Sequence, residues 1–193
     1  MACLKRQSER LRDCRAAIRW LLLGVALALL AGCELLAHQT PGTLVVRQAR
    51  LITQDGNARL ELAIDCTLSG PMQDALDHGI PLAFQIDVRG SGGLRAQPRV
   101  ELRYFPLSRR YQLSINGSED ERGFATRGYL LAALASLRLD LPRDFAHLSA
   151  DAPLRVGAAL DPAALPGALR LPALFEPAWR LAATETTWPR TTP

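Results

Sequence analysis

A two-residue alternation of apolar and polar side chains dominates the chain after residue 42. Between residues 59 and 68, Leu60, Leu62, Ile64 and Cys66 share one face, while the residues between them are mostly charged or polar. Successive side chains of a strand point to opposite faces, so this period indicates strands with one buried and one solvated face. Further strands are predicted at residues 44–52, 80–89, 99–104, 110–115, 154–160 and 179–185. One-sided strands of this kind pair antiparallel.

Two short helices interrupt the predicted strands. The first follows Ser69-Gly70-Pro71 and ends at Gly79, with a capping serine before it, proline in the first turn and glycine at its exit. The second is predicted from residue 127 to 137 because leucines recur there at helical spacing. Residues 162–177 contain four prolines and are predicted to form an extended connection. The predicted fold class is α+β and β-dominated, a curved antiparallel sheet or β-sandwich with two short helices.

The first 33 residues have the three-part order of a secretory signal. A positive stretch ends at Arg19, an apolar run covers residues 20–30, and the small residues Ala31 and Gly32 precede Cys33. Leu30, Ala31, Gly32 and Cys33 match the bacterial lipobox, in which a diacylglycerol alkylates the cysteine thiol and a signal peptidase recognises the three preceding residues. We therefore predict a lipoprotein signal peptide (1–32), a tether (33–42), a single β-rich domain (43–188) and a frayed tail (189–193).

The leader also leaves a second interpretation open. Its positive region is long and contains Glu9 and Asp13, so a retained inner-membrane signal anchor is the alternative. Either way, we expect the domain outside the cytoplasm, facing the periplasm, and Glu34 after the cysteine slightly favours the outer membrane. Acyl chains contribute about 0.8 kcal/mol per buried methylene, so the lipid bilayer is the expected partner through acylated Cys33.

The charge of the chain argues against nucleic acid as a partner. The net charge is +4, but six of the 23 basic residues precede residue 20, and from Cys33 onward there are 17 basic and 17 acidic residues. A neutral mature domain has no charge-driven affinity for a phosphate backbone. Once Cys33 is acylated and the leader removed, Cys66 is the single remaining thiol, which predicts no intramolecular disulfide and a buried, inert cysteine.

Several residue groups have the types that catalysis or metal binding uses. Asp74, Asp77 and His78 have helical spacing, and His147 has Asp144 and Ser149 nearby in the sequence. We favour a solvated helix face for the first group, and the second lacks the strand–elbow–helix context of a catalytic triad. Residues 90–93 are Gly-rich but lack the lysine of a phosphate loop, which favours a hairpin tip. The sequence thus predicts no catalytic residue, no metal and no cofactor.

Arginines cluster in the middle of the chain. Arg99, Arg103 and Arg110 form a possible surface for a partner or an anion, although Glu101 and Asp87 interleave with this arginine-rich region. Interleaved charges of opposite sign favour an ordinary sheet surface bearing salt bridges over an anion site.

Five segments, taken in order, resemble a known family. They are residues 75–84, residues 103–111, Phe124 with the leucine-rich helix, residues 160–166 and Trp179. They resemble the proteobacterial envelope family known as domain of unknown function 4390. This resemblance implies export and a β-rich fold with short helices, and it supplies no catalytic residue. Residues 90–95 depart from the family, which often has an Arg- and aromatic-rich strand end there.

We therefore expect a membrane-tethered, non-catalytic domain that binds another envelope protein or a lipid. A hydrolase acting on cell-wall or lipid material, using His147 or the Asp74, Asp77 and His78 face, is the first alternative. A carrier that holds a small apolar ligand in the concavity of the sheet is the second.

Overall fold

The strands that the alternation predicts form two antiparallel sheets. The computed structural model describes residues 41–117, 122–149 and 152–188. The proposed lipobox, the leader, most of the tether and the predicted tail lie outside these residues. The described strands are β1 (Thr43–Gln54), β2 (Asn57–Thr67), β3 (Leu82–Arg89), β4 (Arg95–Ala96), β5 (Arg99–Phe105), β6 (Arg110–Ile115), β7 (Arg122–Phe124), β8 (Leu137–Leu141), β9 (Leu154–Leu160) and β10 (Ala182–Trp188).

Three α-helices accompany the strands in the described ranges: α1 (Gly70–Asp77), α2 (Arg127–Ala133) and α3 (Gly167–Phe175). The first sheet has the order β1-β2-β8, and the second has the order β10-β9-β3-β5-β6-β7 with β4 paired to β3. The β10 edge of the second sheet lies against β1. The β-dominated α+β class predicted from the sequence is confirmed. Within the described ranges, no helix combines the length and apolar character needed to span a membrane.

The core lies where the apolar faces of the strands meet. Leu60 and Leu62 of β2 are buried together with Ile86 of β3 and Leu102 of β5, and α1 adds Met72. The other faces of these strands carry mostly polar residues and are less buried, which is why period two is visible in the sequence. Ser69 caps α1 by accepting a hydrogen bond from the Met72 amide, as its position before Gly70-Pro71 predicts.

The second predicted helix is shorter than expected. It ends at Ala133, a 3-10 turn follows over Leu134–Ser136, and the chain then enters β8. Leu137, Leu139 and Leu141 are all buried, and β8 pairs with β2 from Ala58↔Leu141 to Leu62↔Leu137. Leu137 fits both the spacing of leucines in a helix and the alternation of a strand. Because hydrogen bonding to β2 stabilises the extended conformation, residues 137–141 form a strand.

The predicted extended connection between residues 162 and 177 contains helix α3, which the sequence interpretation missed. Pro172 lies inside the helix and removes one intrahelical hydrogen bond. The helix persists because Ala173 is buried against the core and Arg170 Nε donates to the Leu165 carbonyl at 2.8 Å. The last strand also begins later than predicted, because Pro177–Trp179 forms a 3-10 turn that buries Trp179.

The strand register places many chain segments at one end of the sheets. β1 begins opposite the end of β2, while β3 and β10 begin beside the end of β9. The end of β5 and the beginning of β6 lie at the same end, joined by the turn that contains Leu107. Gly42 links the two sheets there, since a Cβ atom at this position would lie 2.6 Å from the Thr67 oxygen and 3.0 Å from Leu181 Cδ1. Helix α3 lies in the chain between the end of β9 and the beginning of β10, and we therefore call this region the α3 end.

Candidate functional site

The three arginines singled out from the sequence share one outward face of the second sheet. Arg99 and Arg103 alternate with Glu101 on β5, and the register sets Phe105 opposite Arg110 of β6. Arg103 lies over the Phe105 ring, with its guanidinium carbon 5.6 Å from the ring centroid. The structure therefore brings the predicted surface residues together.

Carboxylates neutralise much of this arginine surface. Glu101 accepts a hydrogen bond from Arg103 at 2.7 Å and one from Arg99 at 3.4 Å, and Arg99 also lies 3.8 Å from the Asp161 carboxylate. Arg110 is exposed beside Gly123 of β7. Such exposed pairs contribute little to stability, and they leave little net positive charge for an anion around Arg99 and Arg103.

Of the three candidate residues at helix α1, Asp74, Asp77 and His78, Asp77 belongs to a structural cluster. The Asp77 carboxylate accepts hydrogen bonds from the Tyr111 hydroxyl, at 2.8 Å, and from Arg127, which also donates to Gln73 at 2.8 Å. Burial, and then the hydrogen bond to Asp77, raises the pKa of Tyr111 to about 12. The phenol thus stays protonated and keeps donating at physiological pH. The cluster joins α1, β6 and α2.

His78 contacts the backbone of the helix through its ring. Nδ1 of His78 lies 2.6 Å from the Asp74 carbonyl oxygen, which is one turn earlier on the same helix. In the part of the chain that the structure describes, no three His, Cys, Asp or Glu residues are grouped so that they could hold a metal ion.

His147 lies at the end of a 3-10 turn, Arg143–His147, and its side chain is exposed, as are those of Asp144 and Ser149. Across residues 41–117, 122–149 and 152–188, no hydrogen bond joins these three side chains. A nucleophile needs contact with its base, so the described arrangement does not assemble them into a catalytic group.

The remaining sequence candidates have structural roles. Residues Ser91–Gly93 form a tight turn between β3 and β4, where Gly92 and Gly93 adopt φ values of 70° and 81°. Cys66 is buried, and burial followed by the nearby Asp65 charge raises the pKa of its thiol from 9.0 to about 12. A thiol with so high a pKa is a poor nucleophile at neutral pH.

A shallow groove, unforeseen from the sequence, follows the outer face of β2. It consists of three adjoining depressions, and the middle one has a volume of about 240 Å³. The middle depression shares Glu61 and Arg138 with a depression of about 360 Å³ on one side. It shares Ala63 and Ala135 with a depression of about 330 Å³ on the other side. The walls of the groove come from β1, β2, β8, the end of α2 and the turn after α2, so part of the groove depends on the placement of β8. The sequence interpretation assigned the start of β8 to a helix and therefore could not locate this groove.

Helix α3 presents a second feature that the sequence interpretation missed. Leu171, Leu174 and Phe175 are exposed, and so is Leu107 in the turn between β5 and β6. Residues at positions i, i+3 and i+4 of a helix share one face, so the spacing of the three helical residues was the available signal. The four prolines of the segment obscured it.

Comparison with known protein families gives one result. The sequence model of the family described as a domain of unknown function (DUF4390) matches residues 42–189. The chain belongs to the DUF4390 family. The match covers the DUF4390 domain from the residue before β1 to the residue after β10. Comparisons with curated proteins and with solved structures find no match.

Proposed function

We propose that this chain is an exported lipoprotein that holds its DUF4390 domain at a membrane surface facing the periplasm. The observation that carries the proposal is the sequence Leu30-Ala31-Gly32-Cys33 directly after an apolar run. The family match begins at residue 42, so the lipobox precedes the domain by a short segment. In this proposal a peptidase removes residues 1–32, and Cys33 becomes the acylated first residue. Several acyl chains make such attachment effectively permanent.

We further propose that the domain works by binding another envelope component, a protein or a lipid, rather than by catalysis. Two features support this role. Asp77, a carboxylate of the candidate acid–base face, is engaged by Tyr111 and Arg127 in a structural cluster. Four of the six large apolar residues that are exposed in the described ranges belong to helix α3 and the turn at its end of the sheets, and exposed apolar surface often marks an interaction site.

Intact-mass measurement tests the processing. The wild-type protein is extracted from membranes with detergent, and we expect the mass of residues 33–193 with a diacylglyceryl group on Cys33 and one acyl chain on its amine. The Cys33→Ser variant should accumulate with residues 1–32 attached. Full-length wild-type protein found among soluble cytosolic proteins would contradict the proposal, and full-length unmodified protein in the membrane would favour the retained anchor.

Complementation of a deletion strain separates binding from hydrolysis. His147 is exposed and its side chain supports no neighbour by a hydrogen bond within the described ranges, so His147→Ala should fold normally. We expect this variant to restore the wild-type phenotype, with His78→Ala as a second variant on the α1 face. Loss of function in either, at wild-type protein level and with unchanged unfolding, would instead support the hydrolase.

A further inference from the structure

We propose that the α3 end of the domain lies against the lipid bilayer, with Leu171, Leu174, Phe175 and Leu107 in the interface between headgroups and acyl chains. This inference rests on the proposed acylation of Cys33 and adds to it an orientation and a membrane-binding surface. A lipid anchor alone would allow the domain to stand away from the membrane in any orientation.

The first observation is the exposed face of α3. Leu171, Leu174 and Phe175 are 66%, 57% and 73% exposed, while Ala173 on the other side of the helix is buried. Arg170 is the one charged residue in the helix. An apolar stripe with a basic residue beside it is typical of helices that lie in the plane of a membrane interface.

The second observation is Leu107, which projects from the turn between β5 and β6 with a fully exposed side chain, 104% of its reference area. The strand register places this turn at the α3 end. Arg109 and Arg110 follow after Ser108 and are exposed. Their guanidinium groups can reach phosphate headgroups while the leucine enters the apolar layer.

The third observation is the point at which the tether meets the domain. Gly42 packs against Leu181, and six residue steps separate Leu181 from Phe175, which can span at most about 20 Å. Nine steps separate Cys33 from Gly42, which can span at most about 30 Å. The α3 end is therefore the end at which an acylated Cys33 would attach the domain to the bilayer.

These three observations favour the bilayer as the occupant of the surface. The exposed side chains occur on two separate chain segments at the end that carries the tether, and an extended lipid surface can contact both at once. A second copy of the chain or a protein partner would have to cover the same end while the tether holds it within reach of lipid.

Site-specific fluorescence on the full mature lipoprotein tests this orientation. The acylated protein is reconstituted into vesicles of phosphatidylethanolamine and phosphatidylglycerol after an environment-sensitive dye is attached at Leu174→Cys or Leu107→Cys. The matched controls lie at the opposite end: Asn57→Cys at the first position of β2, and Ser91→Cys in the turn after β3. Cys66 is buried and Cys33 acylated, so neither competes for the dye. Inserted dyes should emit at shorter wavelength and be quenched by lipids that carry a quencher about 5–10 Å below the headgroups.

The proposal holds if positions 174 and 107 are quenched while positions 57 and 91 keep emission typical of water. Adding Leu174→Glu to the protein labelled at 107 should then reduce its quenching, whereas Ser91→Glu should not. Water-like emission at 174 and 107 would overturn it. Short-wavelength emission without lipid quenching would also overturn it, in favour of a second copy or another protein. Intact mass and vesicle flotation, measured on the same samples, report separately on the acyl anchor.

Discussion

Two weak acids, Cys66 and Tyr111, lie where the protein disfavours their charged forms. The thiol of Cys66 is buried beside the charge of Asp65, and the phenol of Tyr111 is partly buried and donates to Asp77. Both environments stabilise the neutral acid, because an anion would lose hydration and meet a neighbouring carboxylate. In the folded protein, both pKa values are consequently raised to about 12.

These pKa values predict a loss of stability at high pH. Below the pKa that the thiol has in the unfolded chain, 9.0 for Cys66, both states hold the proton and the contribution to the free energy of unfolding is fully present. As pH rises from 9.0 toward 12, the unfolded chain releases this proton while the folded protein keeps it, so that contribution is lost. For Cys66, the free energy of unfolding should fall by up to about 1.4 kcal/mol per pH unit in that window. Urea unfolding at several pH values measures this slope. Cys66→Ala should have a shallower slope than wild type, and equal slopes would refute the buried-thiol explanation.

Asp77 shows how one side chain can join separate elements. Its carboxylate holds Tyr111 of β6 and Arg127 of α2 against helix α1, and Arg127 also reaches Gln73. The sequence placed Asp77 correctly on a helix face but could not reveal its partners, since they are 34 and 50 residues away.

We expect Asp77→Ala to lower the free energy of unfolding by about 1–2 kcal/mol, because it removes two hydrogen bonds to a half-exposed charge. Asp65→Ala is the matched control, since its pair with Arg47 at 2.8 Å is well exposed and should contribute less than about 0.5 kcal/mol. Chemical denaturation of both variants makes the comparison. Equal losses would show that the cluster is no more than a surface ion pair.

Among the elements, the main strands and α1 could be predicted, while β8 and α3 could not. Strand β2 buries one face along its length, which leaves period two in the sequence, whereas β3 and β9 also bury Ala83 and Gly157 on their other faces and keep the period in part. Strand β8 is short and begins in a leucine series that fits a helix equally well, and tertiary pairing with β2 decides its state. Strands β4 and β7 span two and three residues, too few to show a period.

Strand β8 offers a direct test of its pairing. Leu139 is fully buried opposite Leu60, so Leu139→Ala should lower the free energy of unfolding by about 2–4 kcal/mol. Arg138 is exposed on the other face of the same strand, and Arg138→Ala should change stability by less than about 0.5 kcal/mol. If the helix predicted to end at Leu137 instead continued to residue 141, the Leu139 side chain would lie off the stripe of Leu130, Leu134 and Leu137, and its removal would lower the stability little.

At the scale of the whole molecule, we propose two contacts with lipid, the acylated Cys33 and the α3 end. They differ in how far the sequence alone reveals them. The lipobox is a linear motif, because the modifying enzymes recognise consecutive residues, so it can be read without a structure. The α3 end brings together residues near positions 42, 107 and 171–175. Only the register of two sheets shows that these segments share one end.

Membrane attachment should depend on apolar contacts rather than on charge. Because residues 33–193 contain equal numbers of basic and acidic residues, the proposed acyl anchor should keep the protein in the membrane fraction at high salt, and detergent should release it. Sedimentation of membranes washed with concentrated sodium chloride, followed by immunoblotting, measures this. The Cys33→Ser variant reports whether the uncleaved leader can replace the acyl chains. Extensive release of the wild type by salt would contradict attachment through acyl chains.

The position of β1 has a mechanical consequence. The proposed tether ends at the residue before this strand, and β1 pairs with β2 at eleven positions from Thr43↔Thr67 to Gln54↔Asn57. If Cys33 carries the proposed anchor, a pull directed along the axis of β1 would load all these paired positions in shear at the same time, rather than separating them one after another. If the far side of the domain were held by a second body, tension across the envelope would pass through the longest ladder in the first sheet.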